Sequence, residues 1–228
     1  MTTDLDHSRI NELRSLCVPD WACGVWRRAF GRYPGREDTT TTVIWIQTPT
    51  LYADIRVAAP DDPSPHARDE GFAGWLDVDD QVFTWHRPVD LHRRPEGGDK
   101  GAMFLDSDVM IEVGLLTNYM EEYHRIDRAA SCFAASRGTF TTAGGKVRFS
   151  GDDPVDILVA AGPHVIHARH DSASALRYGR LDTHGGIVTV DLAVGDPSAF
   201  TPSDDTWTVW SDGVDEATHR ALVAFTAT

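Results

Sequence analysis

Two neighbouring stretches, Thr41-Thr-Val-Ile-Trp-Ile-Gln47 and Leu51-Tyr-Ala-Asp-Ile-Arg-Val57, are joined by the turn-like Thr48-Pro-Thr50 and decide how the chain is read. Side chains alternate across a strand with period two. In the second stretch Leu51, Ala53, Ile55 and Val57 therefore share one face, and Tyr52, Asp54 and Arg56 share the other. The first stretch sorts Val43, Trp45 and Gln47 away from Ile44 and Ile46. A Trp-Gln row beside a Tyr-Asp-Arg row suits the inside of a ligand-holding barrel better than an ordinary solvent face.

The same style extends outward. Trp26, Arg28 and Phe30 alternate with Val25, Arg27 and Ala29, after which Gly31–Asp38 reads as a turn or loop. Phe72–Val78 and Gln81–Arg87 form an expected hairpin turning at Asp79-Asp80. Ala102–Leu105, Val109–Val113 and Tyr119–Ile126 continue the series, with a turn at Asp106–Asp108. The small-residue stretch 127–138 is the expected domain boundary. Beyond it come short strands at 139–142, 146–150, 155–161, 165–169, 187–194 and 206–210. Helical turns are expected at Leu5–Leu16, Ala173–Arg180 and Asp215–Arg220. About a dozen short strands with regular turn signals predict an all-β chain of antiparallel barrels or a sandwich.

The 228 residues suffice for one large domain or two small ones, and 41% hydrophobic with 25% charged residues is ordinary for a globular protein. The formal charge of −14 argues against nucleic acid and anionic lipid as partners. No apolar run reaches membrane-spanning length, and the N-terminus has no signal-peptide pattern. Three cysteines without a CxxC pair fit a cytoplasmic setting.

Carboxylates on apolar strands are the candidate chemistry. Glu112 stands among Met110, Ile111 and Val113, where burial would raise its pKa into the range of useful proton exchange. Asp54 and Arg56 are close enough to pair, and a buried pair is costly to desolvate. The rows Gln81, Phe83, Trp85, Arg87 and Tyr119, Glu121, Tyr123, Arg125 repeat the theme. His86 and His124 adjoin polar rows but point opposite Trp85 and Tyr123. The three-residue spacing of His164, His167 and His170 suits neither face of a strand, and no metal-binding frame is present. Nucleotide and flavin boxes are missing as well, so neither a metal nor an organic cofactor is expected.

Several of these segments resemble the Hri-type family of fungal and bacterial proteins. They are Gly24-Val-Trp-Arg-Arg28, Val43-Ile-Trp-Ile-Gln47, Leu51-Tyr-Ala-Asp-Ile-Arg56, Gly71-Phe-Ala-Gly74, Trp85-His-Arg87, Asp99-Lys-Gly101, Ile111-Glu-Val-Gly114 and Tyr119-Met-Glu-Glu-Tyr123. The likeness covers most of residues 24–127 and thins over 139–228. It implies two antiparallel lipocalin-like (calycin) β-barrels with short flanking helices. On that reading residues 1–23 are a helical lead-in, 24–128 the first barrel and 129–228 the second. It says little about activity.

Two functions then compete. One is a cofactor-independent enzyme performing acid–base chemistry of lyase, isomerase, cyclase or hydrolase type on a small, mostly apolar substrate. Asp54 or Glu112 would be its acid–base group, with His86 and Tyr52 as further catalytic candidates. Arg56 would anchor an oxygen, Tyr52 and Gln47 would donate hydrogen bonds, and Trp26, Trp45 and Trp85 would form the walls. Arg87, Tyr119 and Glu121 complete the expected binding set. The other is a ligand-binding or protein-interaction module without turnover. The expected partner is a small molecule, with a homodimer left open. Fold analogy does not separate the two.

Overall fold

The computed structural model describes residues 5–6, 18–62, 68–92, 99–128, 131–143, 146–149, 153–182, 188–200 and 206–227. In chain order the first strands are β1 (Leu5–Asp6), β2 (Gly24–Tyr33), β3 (Arg36–Asp38), β4 (Thr42–Gln47) and β5 (Leu51–Val57). They are followed by β6 (Glu70–Asp79), β7 (Val82–Asp90), β8 (Asp99–Asp106), β9 (Val109–Gly114) and β10 (Met120–Asp127). The remainder comprises β11 (Cys132–Arg137), β12 (Phe140–Ala143), β13 (Lys146–Phe149), β14 (Val155–Ala161), β15 (His164–His170), β16 (Ser174–Leu181), β17 (Val188–Gly195), β18 (Trp207–Asp212) and the helix α1 (Glu216–Ala227).

Strands β2 and β4 to β10 pair antiparallel in the order β10-β9-β8-β7-β6-β5-β4-β2, and β10 pairs back onto β2. The sheet thus closes into an eight-stranded barrel, with β3 attached to the upper half of β2. Closure removes both sheet edges from solvent. Tight turns make it possible: Asp80 and Ser107 adopt positive φ of 55° and 59° in the β6–β7 and β8–β9 hairpins. Short polar residues of this kind tolerate that region better than branched ones.

A second sheet runs β1-β18-β11-β14-β15-β16-β17. Among the described residues it does not close, so one of the two expected barrels is seen as a barrel and the other as an open sheet. The outward residues of β4 and β5, including Ile44, Ile46, Leu51, Ala53 and Ile55, pack with Ala73, Trp75 and Val89 against Ile157, Val159, Ile166, Ala168 and Leu176 of that sheet. These two barrel strands are consequently buried on both sides. The far face of the second sheet holds Phe133, Leu158, Val165 and Trp207 beneath Leu222 and Phe225 of α1. Asp215 caps α1 by accepting from the Thr218 backbone N–H at 2.8 Å.

Four local expectations need correction. Gly31–Asp38 is not a loop. β2 continues to Tyr33 past an irregularity near Ala29 in its pairing with β10, and β3 returns along it. The stretch 127–138 contains β11, which lies between β14 and β18 in the second sheet, because Ala134 and Ala135 are small enough to be buried there. Residues 174–181 form strand β16 rather than helix, their intrinsic preference overridden by pairing on both sides. At the N-terminus Leu5–Asp6 pairs parallel with Trp207–Thr208, and residues 7–16 of the expected helix lie outside the described residues.

Candidate functional site

Alternation places Trp26, Val43, Trp45, Tyr52, Phe72, Phe83, Trp85, Met103, Met110 and Tyr123 together inside the barrel. The charged members of the same rows converge among them. Arg28 on β2, Arg56 on β5 and Glu121 on β10 meet through buried side chains. Glu121 Oε1 accepts from Arg28 Nη1 at 2.6 Å and Arg56 Nη1 at 3.1 Å, and it also accepts from the Tyr33 hydroxyl. Its Oε2 accepts from the Tyr123 hydroxyl at 2.6 Å and Arg56 Nη2 at 3.3 Å. Asp54 grips Arg56 by two bonds, 2.9 and 3.2 Å, and Asp38 holds Arg28 at 2.5 Å.

A second branch runs along β7 to β10. The Tyr119 hydroxyl lies 2.5 Å from Glu112 Oε1 and 3.2 Å from Asp99 Oδ1. Asp99 Oδ2 accepts from Arg87 Nη2. Arg87 spreads over the Phe72 ring, 3.5 Å from its centroid, and Asp90 stands 3.8 Å from Nη1, too far to bond. With its side chain only 10% exposed, Arg87 leaves Nε and Nη1 without hydrogen-bond partners. Buried guanidinium donors are rarely left in that state.

The two neighbouring glutamates are driven apart in acidity. Burial, reinforced by the negative charge of Glu121, pushes the Glu112 carboxyl up to about 8. Burial also opposes ionisation of Glu121, but Arg56 and Arg28 outweigh it and bring that carboxyl down to about 2. Such a split pair is the usual arrangement for one acid and one fixed counter-charge. The Tyr119 hydroxyl donates to Glu112 Oε1, and Asp99 Oδ1 is its longer contact.

The expected site residues divide accordingly. Asp54, Arg56, Glu112, Glu121, Trp45, Trp85, Arg87 and Tyr119 come together. Asp54 is pushed up by burial even though Arg56 holds it. Arg56 has its donors committed to Asp54, Glu121 and Tyr123, so Arg87 is the guanidinium with donors to spare. Tyr52 is fully buried, its hydroxyl donating to the His86 carbonyl at 3.2 Å. Gln47 is spent locally, donating to Thr48 O and accepting from Trp45 Nε1. Trp26 lies towards the barrel end where β2 begins, its Nε1 donating to Ala22 O beneath Arg125.

His86 does not belong to the group. It points outward, stacked on Trp75 at 4.7 Å and bonded to Asp77, because neighbours on a strand face opposite ways and Trp85 takes the interior. Sequence reasoning left out Arg28, Tyr33, Asp38, Phe72 and Asp99. Arg28 follows Trp26 in the same alternation, whereas Tyr33 and Asp38 were hidden in the stretch read as a loop.

Two other features lie away from the barrel interior. On β14 to β16, Asp156 Oδ1 bonds His167 Nε2 at 3.0 Å, and Arg177 reaches both His167 Nδ1 and the Phe225 carbonyl. This cluster ties α1 to the second sheet. A cavity of about 320 Å³ at the junction of the two sheets is lined by Cys23, Cys132, Asp20, Arg128 and Trp210. Burial raises both thiols, to about 12 and about 11, which keeps them protonated at neutral pH. Among the described residues no group of three or more His, Cys, Asp or Glu is arranged to hold a metal ion, and no helix is long and apolar enough to cross a membrane.

No protein-family model matches the chain, and no curated protein matches it. Among solved structures it is similar to the crystal structure of the uncharacterized protein YLR301w from Saccharomyces cerevisiae, with a TM-score of 0.56 and 11% identity over 78% of this chain and 88% of that one. At that identity the likeness concerns the fold alone.

Proposed function

We propose that the first barrel is a binding cup for a small, mostly apolar molecule carrying a neutral carbonyl oxygen, and that Glu112 exchanges a proton with it. The observation that carries this reading is Arg87, buried with Nε and Nη1 unpartnered in the same network as the proton-holding Glu112. A neutral oxygen suits the site better than a carboxylate. Asp38, Asp54, Asp90, Asp99 and Glu121 already outnumber Arg28, Arg56 and Arg87 in the network, so a further anion would meet net repulsion. Trp45, Trp85 and Phe72 supply apolar walls; in its ionised fraction Glu112 takes the α-proton, the C–H electron pair passes to the carbonyl oxygen held by Arg87, and Glu112 returns a proton to the carbon.

A second reading, binding without turnover, is favoured by the saturation of Glu121 and Asp54, whose oxygens are occupied by arginine and tyrosine donors. The resemblance to the Hri-type family, with the open sheet as the counterpart of a second lipocalin-like barrel, accommodates either function. Its support is the apolar filling of that sheet's far face beneath α1.

The test pairs tryptophan fluorescence titration against neutral cyclic ketones with hydrogen–deuterium exchange at their α-carbons, followed by NMR. Saturable quenching lost in Arg87→Met, with exchange lost in Glu112→Gln, is the expected result. Binding without exchange selects the second reading. Neither binding nor exchange rejects the cup.

A further inference from the structure

Of the seven large hydrophobic residues exposed among the described residues, six (Phe104, Leu105, Val113, Leu115, Leu116 and Ile126) lie on β8 to β10 or the loop leading into β10. Such clustering is unusual for a monomer surface, where apolar side chains are normally scattered. The register places Phe104 and Val113 on the outer face, whereas Leu105 shares the inner face with Met103 at the barrel end. On the outer barrel face Val82, Ala102, Val113 and Met120 form one cross-strand row. Phe104, Ile111, Glu122 and Phe30 form the next. This face belongs to β7–β10, whereas the second sheet covers the outer residues of β4 and β5.

We propose that this face is the contact surface of a homodimer, occupied by a second copy of the chain. Charge selects that occupant. A chain of net charge −14 resists self-association over most of its surface. Apart from Glu122, and Arg32 where the first row reaches β2, the two rows carry no charge, and the charges on this face are complementary across a second copy. Lys100, exposed and without an ion pair among the described residues, stands on β8 two residues before Ala102. Glu122 stands on β10 two residues after Met120, with His124 as its neighbour at 2.7 Å. Val113 lies between them, so Lys100 and Glu122 are disposed on opposite sides of it.

A two-fold axis lying in the contact plane through Val113, perpendicular to the Lys100–Glu122 line, sets each Lys100 over the other copy's Glu122. The same operation lays the two apolar faces together with their strands crossing at about 70°, nearer the orthogonal than the aligned mode of sheet packing. Leu115 and Leu116, 51% and 55% exposed, extend the contact towards the loop that bears Tyr119.

Sedimentation equilibrium of the full chain tests this. Wild type should approach twice the chain mass as concentration rises. Val113→Arg and the single reversals Lys100→Glu and Glu122→Lys should each shift it to monomer, and the double reversal should restore the dimer. Near-UV circular dichroism checks that each variant is folded, and Val190→Lys on β17 serves as a control that leaves the mass unchanged. A wild-type monomer at every concentration, a dimer that survives Val113→Arg, or folded single reversals that the double reversal fails to rescue would each overturn the proposal.

Discussion

Glu112 and Glu121 are direct cross-strand partners on β9 and β10, yet one keeps its proton at neutral pH and the other does not. Opposed carboxylates on one sheet face repel when both are ionised. Of these two glutamates, Arg28 and Arg56 bond Glu121, and among the described residues Glu112 has Tyr119 as its hydrogen-bond partner. For Glu112 the folded-state value of about 8 stands above the ordinary 4.5, so between those limits the folded chain holds a proton that the unfolded chain has released. Its contribution is therefore complete below pH 4.5 and declines as pH rises towards 8. Urea unfolding of Glu112→Gln should show that decline removed, with the variant gaining on wild type by up to about 4 kcal/mol at pH 8. Parallel pH profiles would mean that Glu112 is ionised throughout.

Glu121 has the opposite sign. Its folded value is depressed to about 2, so its contribution is full above pH 4.5 and is lost as pH falls below that. Glu121→Gln removes the charge that compensates two buried guanidiniums, and breaking a buried pair in this way costs about 3–5 kcal/mol. The loss should be seen at pH 7 as a lowered urea midpoint and should shrink towards pH 2. A change below about 1 kcal/mol at pH 7 would mean that Arg28 and Arg56 are adequately solvated without it.

Gly101 makes room for the acid. A Cβ at that position would approach Glu112 Cγ to 2.9 Å, its Oε1 to 3.1 Å and Trp85 Cη2 to 3.2 Å. Gly101→Ala should cost about 1–3 kcal/mol through overpacking. Because the Glu112 carboxyl must move, it should also displace the pH window of the previous experiment. Destabilisation with an unmoved window would show that Trp85, not Glu112, gives way.

His86 should prove dispensable for ligand chemistry. Its ring stacks on Trp75 outside the barrel wall, and Asp77 accepts from it. His86→Ala should lower stability by about 1 kcal/mol from the lost ring contact and leave ketone affinity unchanged. A tenfold loss of affinity in a fully folded variant would put the binding site on the wrong side of the wall.

Much of the barrel was readable because its strands obey simple alternation. Trp45, Asp54, Arg56, Trp85 and Glu112 alternate with residues that pack outward, and their inward direction follows from period two alone. The irregularity near Ala29 broke that pattern in β2, which is why Tyr33 and Asp38 were lost to a supposed loop. β16 failed for another reason: Ala175, Leu176 and Arg177 are good helix formers, and only pairing with β15 and β17 makes them a strand. The division of labour between Arg56 and Arg87 was not legible at all. It depends on which carboxylates arrive from β8 and β10, Asp99 at 12 residues from Arg87 and Glu121 at 65 from Arg56.

The double-sided burial of β4 and β5 has a mechanical consequence. A chain cut after β10 would keep every hydrogen bond of the closed barrel but would expose Ile44, Ile46, Leu51, Ala53 and Ile55 to water. The second sheet therefore acts as a brace for a barrel whose own interior sets ion pairs among its aromatic residues, and such pairs are poor sources of stability. Charge inside and hydrophobic support outside are two halves of one arrangement: the wall tolerates a polar interior because its adhesion lies on the other side.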